Sequence, residues 1–216
     1  MIMKKIMFND KYNLTNQVLN GEKTMTRRFE KMDWKFVYHL DLGDNPRCGW
    51  SPKYNQDEGK FILYNEHGTR FESFRPKYQI GEIIAIAQNY YSIIGFKPTH
   101  KLFLEKGYKN KMFVKADLMP HQILITDIKL ERLQDISDND CINEGIIPQF
   151  RLQSMRTLFY YGDGKNEFYS PKEAFASLID KISGKGYWES NPFVVVYSFK
   201  LVNYPRTKDS LASWAE

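Results

Sequence analysis

The stretch Leu19-Asn-Gly-Glu-Lys-Thr-Met-Thr-Arg-Arg28 sets the reading of the whole chain. Gly21 suits the end of a helix, because glycine enters a left-handed cap without a Cβ clash. Behind it, Lys23, Thr26 and Arg28 fall within six positions. A hydroxyl beside an ammonium and a guanidinium makes an anion or carbonyl site, or an activated nucleophile. On spacing alone, a polar turn after a helix accounts for the same residues. Upstream, Ile6-Met-Phe8 reads as a short strand. The helix that follows takes Asn13 or Thr15 as its cap and buries Leu14, Val18 and Leu19.

Downstream, residues 30–78 form a long polar insertion carrying Trp34, Phe36, Tyr38, Trp50 and Tyr54. Within it, Phe61–Tyr64, a turn at His67-Gly68 and Arg70–Glu72 predict a hairpin. Gly81-Glu-Ile-Ile-Ala-Ile-Ala-Gln88 is a continuous apolar run suited to a strand buried on both faces. Further strands are expected at Lys111–Lys115, Ile123–Leu133 and Phe193–Leu201. Ser137 opens a short helix with Asp138 and Asp140 in its first turn and Gly145 at its end. A second helix runs from Pro171 to about Ile182, with Ala174, Phe175, Leu178 and Ile179 inward. Gly162-Asp-Gly164 reads as a turn and not as a phosphate loop, and after Pro205 the tail is expected to be loosely held. Short strands with few helices predict an α+β (mixed) fold, a small β-barrel whose openings are covered by helices.

Composition narrows the class. The chain has 216 residues, 42% hydrophobic, 26% charged and 15% aromatic, with a net charge of +5. No repeat or low-complexity linker divides it, so a single domain over 1–216 is expected. Cys48 and Cys141 are too few for a disulfide framework or a four-thiolate zinc site. His39, His67, His100 and His121 have no ligand spacing, so neither a metal site nor a histidine-based triad is expected. Cys141, one turn before Glu144, reads as a buried structural thiol. No apolar run approaches the roughly 20 residues that cross a bilayer, and the N-terminus turns polar at Asn9, before a signal-peptide core is complete. The expectation is a cytoplasmic protein with no membrane partner, no metal and no cofactor. Its charge is uneven: six lysines (97, 101, 106, 109, 111, 115) face one acid between Phe96 and Lys115, while seven acids face Lys129 and Arg132 between Asp117 and Glu144. The lysine-rich part reads as a solvated loop, and +5 permits nucleic-acid contact without requiring it.

Gly21-x-Lys23-x-x-Thr26-x-Arg28 resembles the G-x-K-x-x-T-x-R signature of the ASCH domain, in the PUA-like superfamily. Tyr78-Gln-Ile-Gly-Glu-Ile-Ile84 is similar to that family's glycine-acid strand entry. Leu130–Ser137 with Asp140-Cys-Ile-Asn-Glu-Gly-Ile146 resembles its strand-to-helix step, and Trp188–Phe199 its W-x-x-N-P ending. The resemblance covers about residues 6–202, with insertions at 30–78 and 147–170. It implies a PUA-like small barrel with flanking helices and an inserted segment.

For function, the resemblance implies either an amidohydrolase that deacetylates N(4)-acetylcytidine or a non-catalytic module that binds RNA or a modified base. Carried over by position, the catalytic set is Lys23, Thr26 and Glu144: Thr26 attacks, Lys23 takes its proton, and Glu144 protonates the leaving amine or orients the base. Lys23 can act as a base only when neutral, so its pKa must fall toward about 7–8. Arg28 would hold a carbonyl or phosphate oxygen. Where larger members carry an Arg-Glu pair, this chain has Ala87-Gln88, so Gln88 takes the pocket-wall position. Tyr90, Trp188 and Asn191 complete the expected ligand contacts, an aromatic at a barrel mouth being able to stack on a base, though each also fits core packing or a structural turn. The expected partner is a small nucleoside-like ligand, with RNA as the polymeric alternative.

Overall fold

The computed structural model describes residues 3–43, 51–65, 67–94 and 106–202. Cys48, Trp50, Lys97, His100, Lys101 and the tail after Pro205 lie outside the described residues, so the lysine-rich stretch is only partly in view. The fold is mixed α+β. Its main sheet has five strands in the order β1-β6-β7-β10-β2: Lys5–Ile6 (β1), Ile83–Ile86 (β6), Gln122–Arg132 (β7), Phe193–Val202 (β10) and Met25–Arg28 (β2). β1 pairs parallel to β6; the other three ladders are antiparallel.

β10 forms the spine because Phe193-Val-Val-Val-Tyr197 is β-branched and aromatic, the composition that fits a pleated surface between two neighbours. Val194 to Tyr197 are buried. β10 pairs with β7 along its whole length, with a register shift at Ser198/Phe199, and with β2 from Val195 to Ser198.

Among the described residues the sheet does not close into a barrel. Its edge strands, β1 and β2, are instead bridged by a side chain: Arg28 Nη2 donates to the carbonyl of Met7, just after β1, at 2.5 Å. The expected barrel is thus a curled open sheet, whose two edges leave room for a cavity.

Helices close the open side. Leu14–Leu19 (α1) buries Leu14 and Val18 as its spacing predicts. Gly21 follows at φ 76°, the left-handed region, and the amides of Glu22 and Lys23 return to the carbonyl of Gln17. Trp34–Gly43 (α2) and Tyr90–Ile94 (α3) are further helices. Asp138–Asn143 (α4) is capped by Ser137, whose hydroxyl accepts from Asp140 N. Pro171–Ser183 (α5) is capped by Ser170 on Glu173 N, with Pro171 in its first turn, where no amide is missed.

Residues 30–78, the first expected insertion, carry more secondary structure among their described residues than the polar composition suggested. They hold α2 and a three-stranded meander, Ser51–Asn55 (β3), Lys60–Tyr64 (β4) and Arg70–Phe74 (β5). The expected hairpin is β4–β5; β3 and α2 were not foreseen. Phe36 of α2 packs on Phe74 of β5, with ring centroids 5.7 Å apart. The second insertion carries another hairpin, Ile147–Arg151 (β8) with Arg156–Tyr160 (β9).

One expected strand is corrected. Lys111–Phe113 is a 3-10 turn, not a strand. The Asn110 side chain accepts from Met112 N, and Lys5 Nζ takes the carbonyls of Lys111, Met112 and Val114. A local side-chain bond and the Lys5 ammonium thus satisfy groups that a ladder would have used.

Candidate functional site

A cavity of about 470 Å³ lies between the sheet edges and α5. Lys23, Thr26, Arg27, Arg28 and Glu144 line its polar side, and Leu133, Phe175, Leu178, Ile179, Ile182 and Val194 its apolar side, with Phe8, Phe29, Lys111 and Tyr187 also on its wall. Three of the four motif positions predicted from sequence therefore reach one cavity together with Glu144, and Gly21 supplies the turn that lets them.

Lys23 occupies the link between α1 and β2. Its backbone is held from both sides, by Gln17 at the end of α1 and, through Thr24 N, by the carbonyl of Asn143 at the end of α4. The side chain is 2% exposed. Its Nζ donates to the backbone carbonyl of Glu144 and to Glu144 Oε2, each at 2.6 Å.

Glu144 closes α4, and the chain then turns at Gly145, φ 105°, where a side chain would collide with Gln17. That turn aims Glu144 back toward the cavity. Its other oxygen, Oε1, accepts from Arg27 Nη1 at 3.3 Å.

Arg27 is the residue that sequence reasoning undervalued. Its guanidinium also binds Glu131 Oε1, at 3.0 Å from Nε and 2.6 Å from Nη2, and Asp140 Oδ2 at 3.0 Å. Three carboxylates thus surround one buried cation. Burial opposes the Arg27 charge, but Glu144, Glu131 and Asp140 outweigh it and hold its pKa above the ordinary value.

Lys23 shifts the other way. Burial lowers its pKa and outweighs the opposing pull of Glu144, while Arg28 and Arg27 add to the lowering. Removal from water disfavours the ammonium form, which is the change a general base requires.

Thr26 pairs with Tyr197 across the β2–β10 ladder and is 4% exposed. Its hydroxyl lines the cavity and makes no hydrogen bond to another side chain among the described residues. Arg28 lies two residues on, the same side of an extended strand. Its guanidinium sits over the ring of Phe8, 5.4 Å from the centroid.

The other expected ligand contacts are elsewhere. Gln88 is buried at the end of the β6 run, with Oε1 2.8 Å from His121 Nδ1, and lines a separate cavity of about 250 Å³ beside Asp10 and Asn89. Tyr90 begins α3 and packs against Ala85, Ala87, Val114 and Met119. Trp188 stands edge-on to Phe175 at 6.1 Å, one layer behind the cavity wall, and its amide donates to Asp180. Asn191 is a turn residue at φ 41°, its side-chain oxygen accepting from Gln134 N. None of these four lines the cavity that Thr26 lines. Cys141 is buried, as expected, and its thiol is pushed up to about 12 by burial.

Among the described residues there is no cluster of three or more histidine, cysteine or acidic side chains able to hold a metal ion. Nor is any helix long and apolar enough to cross a membrane. No protein-family model, curated protein or solved structure matches this chain.

Proposed function

We propose that this chain is an amidohydrolase acting on an acylated cytidine nucleoside or a related modified nucleobase, with Thr26 as nucleophile and Lys23 as base. The observation that carries the reading is the Lys23–Glu144 contact: a lysine at 2% exposure, doubly bonded to a residue 121 positions away, on the wall of the cavity that Thr26 lines. The resemblance to ASCH domains supports the same three positions, and the curled sheet with its helical cover is compatible with a PUA-like barrel left open at one seam.

The chemistry follows from the hydrogen-bond count. A neutral amine has two N–H bonds and one lone pair. Both donors are used by Glu144, on its carbonyl and on Oε2, so the lone pair is left for a proton. Thr26 Oγ attacks the acyl carbonyl carbon as its proton passes to Lys23 Nζ. The tetrahedral species collapses, the C–N bond breaks, and the proton on Lys23 goes to the leaving exocyclic nitrogen. Water then attacks the Thr26 ester, giving a proton to Lys23; the ester C–O bond breaks, the acid is released, and Lys23 returns that proton to Thr26 Oγ. Glu144 holds the amine in place throughout, and Arg27 holds Glu144.

Incubation with N(4)-acetylcytidine and longer N(4)-acylcytidines, read as cytidine released, tests the reading. Turnover by the wild type that is lost in Thr26→Ala and Lys23→Ala supports it. Turnover no higher than that of Thr26→Ala overturns it.

A further inference from the structure

Two adjacent arginines at the cavity are treated in opposite ways. Arg27 is met by Glu131, Asp140 and Glu144. Arg28, of which Nε is buried and unpartnered, has no carboxylate within ion-pair distance among the described residues. Its one hydrogen bond runs from Nη2 to the carbonyl of Met7, which pins the guanidinium across the gap between the sheet edges. Nη1 has no hydrogen-bond partner among the described residues. Tyr78, Glu144, Tyr197 and Glu30 act on it only at longer range, and burial is the larger influence on its charge. The other cations of the wall are paired: Lys23 with Glu144 and Lys111 with Asp10.

A guanidinium cannot shed its proton in a protein, and this one, partly buried with no carboxylate beside it, is stabilised when an anion meets it. Its fork of donors matches the oxygens of a phosphate or carboxylate. Arg28 is also on the Thr26 side of β2, two residues away, so a group bound there lies within the span of one small ligand whose carbonyl is at Thr26.

From this we infer that the ligand of this cavity carries a permanent anionic oxygen group, phosphate or carboxylate, bound by Arg28. The inference rests on the proposed function for the identity of the base. It separates a charged substrate, such as a nucleotide or an amide of a dicarboxylic acid, from the neutral nucleoside. Arg28 is then the residue that selects for charge, while Lys23, Thr26 and Glu144 supply the chemistry.

Calorimetric binding tests this without turnover. Cytidine and cytidine 5′-monophosphate are titrated into the wild type, Arg28→Gln and Arg28→Lys. N(4)-acetylcytidine and N(4)-succinylcytidine are titrated into Thr26→Ala, with and without Arg28→Gln. The monophosphate arm reports an anion on the sugar side and the succinyl arm one on the acyl side. The expected result is that one anionic probe binds about tenfold to a hundredfold tighter than its neutral counterpart. That gap closes in Arg28→Gln and is partly kept in Arg28→Lys, which also guards against a folding defect in the glutamine variant. If neither anion gains affinity, or the gain survives Arg28→Gln, the inference is overturned. Failure of acetylcytidine hydrolysis alone would instead remove the proposed reaction and leave this result standing.

Discussion

Lys23 and Glu144 are joined twice, Nζ reaching both the backbone carbonyl and Oε2 of the glutamate at 2.6 Å. The first bond satisfies a carbonyl at the end of α4, where no intrahelical donor is available. The second fixes the carboxylate. One ammonium therefore ties the geometry of a helix end to the protonation chemistry of the cavity, and a change at either residue is felt at both.

Breaking this pair from one side should be expensive. Lys23→Met leaves a buried carboxylate with Arg27 alone, and Glu144→Leu leaves a buried ammonium with a backbone carbonyl and no carboxylate. Each is expected to cost about 3–5 kcal/mol, the range for removing one partner of a buried ion pair. The double variant Lys23→Met/Glu144→Leu should cost less than the two added together, because no charge is then stranded. Urea unfolding of the four proteins measures this, and strict additivity would show that the residues are not coupled.

Thr26 should behave differently. Its hydroxyl has no side-chain partner among the described residues, so Thr26→Val removes no such hydrogen bond while keeping the shape. Stability is expected to change by no more than about 0.5 kcal/mol. Hydrolysis should fall by about a thousandfold or more, and Thr26→Ser should retain a substantial part of it. Denaturant midpoint and kcat/KM on an N(4)-acylcytidine, measured on the same preparations, separate the two effects. A large stability loss in Thr26→Val would assign the hydroxyl a structural role.

The sequence carried the local elements well. Gly21 and Gly145 stop helices where predicted, Ser137 caps the second of these, and β10 follows from a β-branched and aromatic run. It carried the Lys23–Thr26–Arg28 spacing for the same reason: those residues are neighbours along one turn and strand. Contacts made between distant segments were less legible. The acidic count from Asp117 to Glu144 names no partner, yet three of these carboxylates converge on Arg27. Gln88, Tyr90, Trp188 and Asn191 each had residue chemistry suited to a ligand. Their positions depend on which layer of packing they join, and residue type does not determine that. Lys111–Phe113 failed as a strand because Asn110 and Lys5, one local and one about a hundred residues away, compete for its backbone.

Alkaline stability should depend on several buried acidic groups of the core, Tyr197 among them, whose hydroxyl is pushed well above its ordinary value by burial and by Glu30. Cys141 is pushed up to about 12 from 9.0, and Tyr78 to about 12 from 10.0, both chiefly by burial. A raised folded-state pKa means that the native state binds more protons than the unfolded chain above the unfolded value. Their contribution is complete below pH 9 and is lost as pH rises from there to about 12. The midpoint of urea unfolding should therefore decline across that window. Cys141→Ala should lower stability at neutral pH through the lost packing and make the alkaline decline shallower. An unchanged slope would assign the loss to other groups.

Arg27 should contribute to the pH at which the site becomes active. In this mechanism kcat/KM rises as Lys23 loses its proton, and burial has already brought that event below the ordinary 10.5. Arg27 lowers it further in two ways: its own charge repels the ammonium, and it shares the Glu144 carboxylate that would otherwise favour it. Arg27→Met removes both effects, so the rising limb of the pH–rate profile should move to higher pH and activity at neutral pH should drop. It also leaves Glu131, Asp140 and Glu144 without their common cation, at a cost of about 3–5 kcal/mol. Arg27→Lys keeps the charge but not the fork that serves three carboxylates, so it should restore part of the limb position and only part of the stability. A merely structural Arg27 would lose activity in proportion to unfolded protein and leave the limb where it was. The pH profile of kcat/KM across the three proteins, normalised to the folded fraction, distinguishes the two roles.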